Sequence, residues 1–181
     1  MEYRSDFLII GSGLASLSAA LELSRFGTVA IVTKRESSHC NTYYAQGGIA
    51  SVPDKKDTPQ SHLQDTLEAG AGLCHEDIAR QIINEGPQRI SALRELGLRF
   101  SENNGELDLA LEGGHSHRRV LHAGDFTGQE IMKVLLNACR NSVNINFYEN
   151  HTAVDLVLRE HPLKTKGTNR CLGAYVLKED C

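Results

Sequence analysis

Phe7-Leu-Ile-Ile10 is an unbroken apolar run stopped by Gly11, the pattern of a strand buried on both faces of a parallel sheet. From Leu14 to Phe26 the period changes. Leu14, Leu17, Ala20, Leu21 and Phe26 recur at helical spacing, and Gly27 stands where the helix would end. Val29-Ala-Ile-Val32 is again continuous and predicts a second strand. Strand, glycine turn, helix and strand within about 30 residues form a βαβ unit, so the expected fold class is α/β, a doubly wound Rossmann-like domain.

Between Thr33 and Pro59 periodicity is lost while Ser, Asn, Tyr, Gln and Gly accumulate, which predicts a long functional loop. Gln60–Ala71 and Asp77–Leu96 read as helices. The second carries Ile78, Ile82, Ile83, Ile90, Leu93 and Leu96 and is expected to be interrupted near Gly86-Pro87. Residues 98–111 change to short extended pieces around Asn103-Asn-Gly105, a hairpin signal, so a small β excursion is expected over about 98–122. Thr127–Arg140 reads as a helix. Asn144–Tyr148, Ala153–Arg159 and Cys171–Lys178 read as strands, the last two joined by the polar turn His161–Arg170.

Composition narrows the function classes. The 181 residues are 40% hydrophobic, enough for one domain or for one domain and part of a second. A formal charge of −4 and scattered basic residues give no footprint for nucleic acid. No apolar run approaches the roughly 20 residues of a membrane span, and Met1-Glu-Tyr-Arg-Ser-Asp6 lacks a secretion signal's apolar core, so a cytoplasmic protein is expected. The five cysteines form no Cys-x-x-Cys pair and are odd in number, which suggests free thiols and no zinc site.

Gly11-Ser12-Gly13-Leu14-Ala15-Ser16 matches the dinucleotide fingerprint at its first two glycines, with Ser in place of the third. Gly11 permits the tight turn. Gly13 lets backbone N–H groups, with those of Ser12, Leu14 and Ala15, approach a pyrophosphate at the helix's positive end. An ordinary ligand-free βα turn is the alternative. Thr33-Lys34 stands where an NAD-type fold carries its ribose-binding acid, which argues against a routine NAD dehydrogenase and leaves Lys34 to make a different contact to ribose or phosphate.

Asn41-Thr42-Tyr43-Tyr44-Ala45-Gln46-Gly47-Gly48-Ile49-Ala50 suits a backbone that lies against a flat ring and donates N–H groups to it. The stretch resembles the Ala-Gln-Gly-Gly-Ile loop of the fumarate reductase and succinate dehydrogenase flavoproteins, where it wraps the isoalloxazine of FAD. Members that attach FAD covalently do so through a histidine five residues before the Gln. Asn41 holds that position and His39 is out of register, so the resemblance implies noncovalent FAD.

Glu112-Gly-Gly-His-Ser-His-Arg-Arg119, followed by Leu121-His-Ala-Gly-Asp-Phe-Thr-Gly128, looks like the L-aspartate oxidase version of the superfamily's substrate-side motif. A dicarboxylate needs cationic partners, and an amino group on it needs a carboxylate, which Glu112 offers. Arg118 and Arg119 fit either a substrate role or a structural charge patch. His115 and His117 lack the further ligands a metal needs.

The resemblance further implies adenine contacts at the backbone of Thr152-Ala153. It also implies that this chain is the N-terminal part of an FAD-binding domain with the start of an α+β capping region. The rest of both, and the Arg that transfers a proton, are expected beyond Cys181. The implied activity is FAD-dependent oxidation of L-aspartate to iminoaspartate, with oxygen or fumarate as acceptor and a hand-off to quinolinate synthase toward NAD. Membrane and nucleic acid are not expected as partners. The rival readings are a soluble fumarate reductase or succinate dehydrogenase and a noncatalytic FAD-binding fragment.

Overall fold

A computed structural model of the chain describes residues 1–53, 56–159 and 170–179. Its elements in chain order are β1 (Phe7–Ile10), α1 (Leu14–Leu23), β2 (Val29–Thr33), β3 (Ile49–Ala50), α2 (Pro59–Ala69), α3 (Glu76–Glu95) and β4 (Glu102–Asn103). There follow β5 (Glu106–Leu107), β6 (Leu109–Ala110), β7 (Val120–Leu121), α4 (Thr127–Arg140), β8 (Ile145–Glu149), β9 (His151–Arg159) and β10 (Arg170–Lys178). They divide into two compact units. Met1–Tyr43 with Leu135–Cys181 form the first and Tyr44–Val134 the second, so α4 begins in one and ends in the other.

The first unit is built on a parallel sheet of order β1-β2-β8, with Phe7 opposite Val29 and Val29 opposite Ile145. Every residue of β2 is buried, which explains its uninterrupted apolar sequence. β1 departs from the expectation of burial on both faces. It is an edge strand among the described residues and its burial alternates, leaving Leu8 and Ile10 exposed. Helix α1 presses Leu17 and Ala20 into the core, where the buried Cys139 thiol lies 3.5 Å from the Leu17 carbonyl oxygen. Burial pushes that thiol up to about 11, so it stays protonated.

Helix α1 ends three residues earlier than its apolar spacing predicts. Ser24 closes it by donating its N–H to Ala20 O and its hydroxyl to Leu21 O, and Phe26 sits exposed in the turn beyond. Gly27 is not a left-handed cap. Its value is clearance, because a Cβ there would lie 2.6 Å from the Asp6 carboxylate, which accepts both the N–H and the hydroxyl of Thr28. Strands β9 and β10 pair as an antiparallel ribbon. The expected turn His161–Arg170 lies outside the described residues except for Arg170.

In the second unit the long loop contains an element its sequence did not announce. The two residues of β3 pair antiparallel with β7, which also pairs with β6, giving the order β3-β7-β6. The hairpin expected at Asn103-Asn-Gly105 is present, with Asn104 and Gly105 both left-handed (φ 53° and 83°) as a type I′ turn requires. Helix α2 starts on Thr58, whose hydroxyl accepts the Ser61 N–H, with Pro59 at the first helical position.

Helix α3 runs unbroken through Gly86-Pro87, contrary to the expected interruption. Tertiary packing outweighs the hydrogen bond that Pro87 cannot donate. Ile83 and Ile90, two turns apart, are buried, and Gly86 faces Ser51 so closely that a Cβ would lie 3.2 Å from its hydroxyl. Ile78 and Ile82, read from the sequence as part of the packed stripe, are exposed.

Candidate functional site

The glycine turn sits between β1 and α1. Gly11 has φ +106°, a conformation that favours glycine, and its N–H donates to Val32 O at 2.8 Å, tying the turn to the end of β2. Ser12 is buried, its hydroxyl 3.3 Å from that of Thr33. Gly13 caps α1 without a side chain, in extended conformation, and its carbonyl accepts the Leu17 N–H. Ala15 lies exposed in the first turn.

Thr42 meets this turn although 28 residues separate it from Leu14: its hydroxyl accepts the Leu14 N–H at 3.2 Å and lies where a Gly13 Cβ would make ordinary contact. The structure thus joins two motifs that the sequence presented separately. Asn41 is exposed, Tyr43 is half-buried, and Lys34 is exposed just past β2.

An acid sought after β2 and missing there stands on the neighbouring strand. Glu149 lies in register with Thr33, accepts the N–H of the fully buried Ser37 at 2.9 Å, and is approached by Arg140 at 3.4 Å. Burial alone would raise its carboxyl. The hydrogen bonds from Ser37 and the Arg140 charge outweigh that and hold it below the usual carboxylate range. Farther along β9, Thr152 and Ala153 are half-buried and paired with Leu177 and Val176, and the Thr152 hydroxyl donates to Glu179.

The second unit holds the rest of the loop. Tyr44, Ala45, Gln46 and Gly47 are exposed, and the Ala45 carbonyl accepts the Gly128 N–H near the start of α4. Nothing lies within 4 Å of a Cβ built on Gly47, whereas one on Gly48 would run into the Leu121 carbonyl oxygen and the Val120 side chain. Gly47 thus leaves its backbone open on one side, while Gly48 is seated tightly against β7.

Glu112 is exposed at the start of a turn in which its carbonyl accepts the His115 N–H at 3.2 Å, with Gly114 left-handed at φ +83°. Arg118 is exposed, reaching Leu109 O, whereas Arg119 is completely buried. Arg119 donates to Asp57 through Nε and Nη2 at 2.7 and 3.0 Å, to Asp65 through Nη1 at 2.6 Å, and to Ser61 at 3.2 Å. Of the two roles left open for Arg119, the structure shows the structural one, since every guanidinium nitrogen is taken by the protein. These partners of Arg119 stand more than 50 residues before it in the chain, so their meeting is a product of the fold.

Asp65 Oδ2 also accepts the N–H and hydroxyl of Ser116, both at 2.8 Å. Burial works against its charge, but the Ser116 donors and Arg119 bring its pKa down to about 2 from 3.8. The sign follows from linkage. The stabilisation is fully present above about pH 4 and is lost as pH falls toward about 2. Asp65→Asn is expected to cost on the order of 1–2 kcal/mol at neutral pH, discounted for the carboxylate's partial exposure. In melts followed by circular dichroism the gap from the parent should close as the solution is acidified, and a gap constant down to about pH 2 would exclude the carboxylate charge as its source.

Ser61, Ser116, His117 and Asp57 imitate a catalytic triad without its geometry. Both hydroxyls, at 3.2 and 2.9 Å, and Asp57, at 3.7 Å, face the same ring nitrogen, Nδ1 of His117, so no carboxylate orients the imidazole for a serine on its far side. Among the described residues no group of His, Cys, Asp and Glu is placed to hold a metal. An open cleft of about 580 Å³ borders the β4–β5 hairpin, but its lining sets Lys56 and Arg118 against three carboxylates, Asp57, Glu106 and Asp108, so it offers no excess positive charge to select a dicarboxylate. No helix among the described residues is long and apolar enough to cross a membrane.

Known proteins resemble this chain along most of its length. L-aspartate oxidase of Pseudomonas aeruginosa is 44% identical over 98% of this chain and 34% of its own length. The chloroplastic L-aspartate oxidase of Oryza sativa is 48% identical over 84% of the chain and 24% of its own length. The chain therefore spans about a quarter to a third of these relatives. Among solved structures, a Mycobacterium smegmatis Sdh1 complex in the apo form matches with TM-score 0.83 and 27% identity, covering 95% of this chain and 30% of that one. A quinol fumarate reductase chain from E. coli matches with TM-score 0.83 and 25% identity over 87% of this chain and 28% of its own. The profile of the FAD binding domain matches residues 6–180, and with the glycine turn, parallel sheet and Gly47-Gly48 loop in place, the chain belongs to the FAD-binding domain family.

Proposed function

We propose that the protein carrying this chain oxidises L-aspartate to iminoaspartate with noncovalently bound FAD. The observation that carries the reading is an exposed carboxylate, Glu112, on a glycine turn in a unit that also presents the bare backbone of Gly47. The bound FAD would supply the two-electron acceptor. The chain's own residues hold and orient. The backbone of Ser12, Gly13, Leu14 and Ala15 faces the pyrophosphate at the positive end of α1, with Thr42 beside it. Lys34 serves ribose or phosphate. Residues Asn41 to Gly48 border the flavin ring, and Thr152-Ala153 the adenine.

Glu112 accepts hydrogen bonds from the substrate's ammonium group, which fixes the α-carbon relative to the ring. Two electrons and two protons leave the substrate, and oxygen or fumarate takes them up in reoxidation. Iminoaspartate hydrolyses readily in water, so direct hand-off to quinolinate synthase belongs to the proposal. So do a cytoplasmic setting and the view that this chain is the N-terminal part of the FAD domain, with the β excursion at about 98–122 leading toward a capping region.

A fumarate reductase or succinate dehydrogenase is the second reading, favoured by the structural likeness to those flavoproteins. Glu112→Gln in the full-length protein separates them. Loss of a charge-assisted hydrogen bond is expected to raise the L-aspartate KM by about 10- to 100-fold. Fumarate, which has no amino group, should be reduced nearly as before. An unchanged L-aspartate KM would reject the role of Glu112 and favour the reductase reading.

A further inference from the structure

We propose that Arg119, acting through Asp57 and Asp65, is the positioning residue for the Glu112 turn, and so tunes recognition of an amino-bearing dicarboxylate without touching it. This rests on the reading that Glu112 meets the substrate's amino group. The turn itself has little to hold it. Residues 112–114 are exposed, a Cβ on Gly113 would meet nothing within 4 Å, and one on Gly114 would reach only Ala69 at 3.5 Å. Two adjacent glycines without packing would leave the carboxylate spread over many positions unless something fixes the chain nearby.

The anchor follows at once in the chain. Asp65 gathers three donors on one oxygen: the Ser116 N–H, the Ser116 hydroxyl and Arg119 Nη1. Ser116 is thereby tied to α2. His115, whose N–H closes the turn on Glu112 O, has its Nδ1 3.3 Å from Arg119 Nη1. Arg119 is in turn immobilised by the two-point bond to Asp57, just before α2, and by the donation of Ser51 N–H to its carbonyl. A planar fork makes all these bonds at once, which a lysine cannot do. Since Arg119 is fully buried, it has no face left for substrate.

The test uses the full-length holoenzyme and the variants Asp65→Asn, Arg119→Lys, Glu112→Gln and Asp65→Asn combined with Glu112→Gln. Asp65→Asn is expected to raise the L-aspartate KM by about tenfold, with flavin content and the fumarate KM little changed. In the Glu112→Gln background the same change should add almost nothing, because the group being positioned is gone. Arg119→Lys should show the same selectivity together with a lower melting temperature.

Equal losses for both substrates, or full additivity of Asp65→Asn with Glu112→Gln, would overturn the proposal. Amide hydrogen exchange supplies a readout independent of turnover: Asp65→Asn should speed exchange at Gly113–His117, and unchanged protection there would also overturn it. Should the parent protein fail to oxidise L-aspartate while exchange accelerates as expected, the anchor stands and the proposed substrate falls.

Discussion

Gly48→Ala is expected to unseat the ring-facing loop and to release flavin from the full-length protein. The added Cβ would run into the Leu121 carbonyl oxygen and the Val120 side chain. Neither can retreat cheaply: Val120 and Leu121 are buried in β7, the central strand of the small antiparallel sheet, and Leu121 is paired with Ile49 one residue beyond the glycine. Overpacking against fixed backbone costs about 1–3 kcal/mol, and relief by lifting the loop would break the β3–β7 pairing. Gly47→Ala is the matched control, since its Cβ has open space in the protein alone. That variant should melt like the parent and lose flavin only because the ring occupies the space. Thermal melts with and without added FAD, and absorbance of the purified proteins, read both effects. A Gly48→Ala protein with parent stability would mean that β7 yields.

The contrast between these glycines shows what the sequence could and could not disclose. Gly47 and Gly48 are identical as letters, and only the pairing of a two-residue strand with β7 makes one a seat and the other an opening. Arg118 and Arg119 differ in the same way, one exposed and the other fully buried. The β1–α1–β2 unit was legible because its signals are local: apolar runs, a glycine turn and a helical period within one short stretch. Thr127–Arg140 was legible to the residue for the same reason.

Elements whose shape depends on distant partners were misread. Pro87 looked like a break because its lost hydrogen bond is written in the sequence, whereas the packing of Ile83, Gly86 and Ile90 is not. Glu149 was missed as the acid beside the end of β2 because only the parallel register brings it opposite Thr33. The Arg119 cluster was missed because Asp57, Ser61 and Asp65 lie more than 50 residues away. Its one sequence signal was Thr58-Pro59, a helix start that places Ser61 and Asp65 one turn apart on α2.

Gly13→Asp should separate folding from cofactor binding more sharply than any other change in the glycine turn. Gly13 has φ −74° and ψ 179°, a conformation open to any residue, and a Cβ would stand 3.5 Å from the Thr42 hydroxyl, an ordinary contact. The position is the N-cap of α1 and has no side-chain cap of its own. Aspartate is among the preferred residues there and complements the helix's positive end, so α1 should gain a few tenths of a kcal/mol. The same carboxylate would occupy the approach proposed for the pyrophosphate. Like charges about 4 Å apart at a partly screened site repel by about 4 kcal/mol, enough to weaken binding 100-fold or more. Gly13→Ala adds bulk without charge and should lose far less. The expected result in the full-length protein is therefore an apo form that melts at or above the temperature of the parent apo form, yet binds FAD at least about 100-fold more weakly by fluorescence titration. Parent-like FAD affinity in the aspartate variant would show that the phosphates bind away from this turn, and a large fall in apo stability would show that the turn is held by more than its glycines.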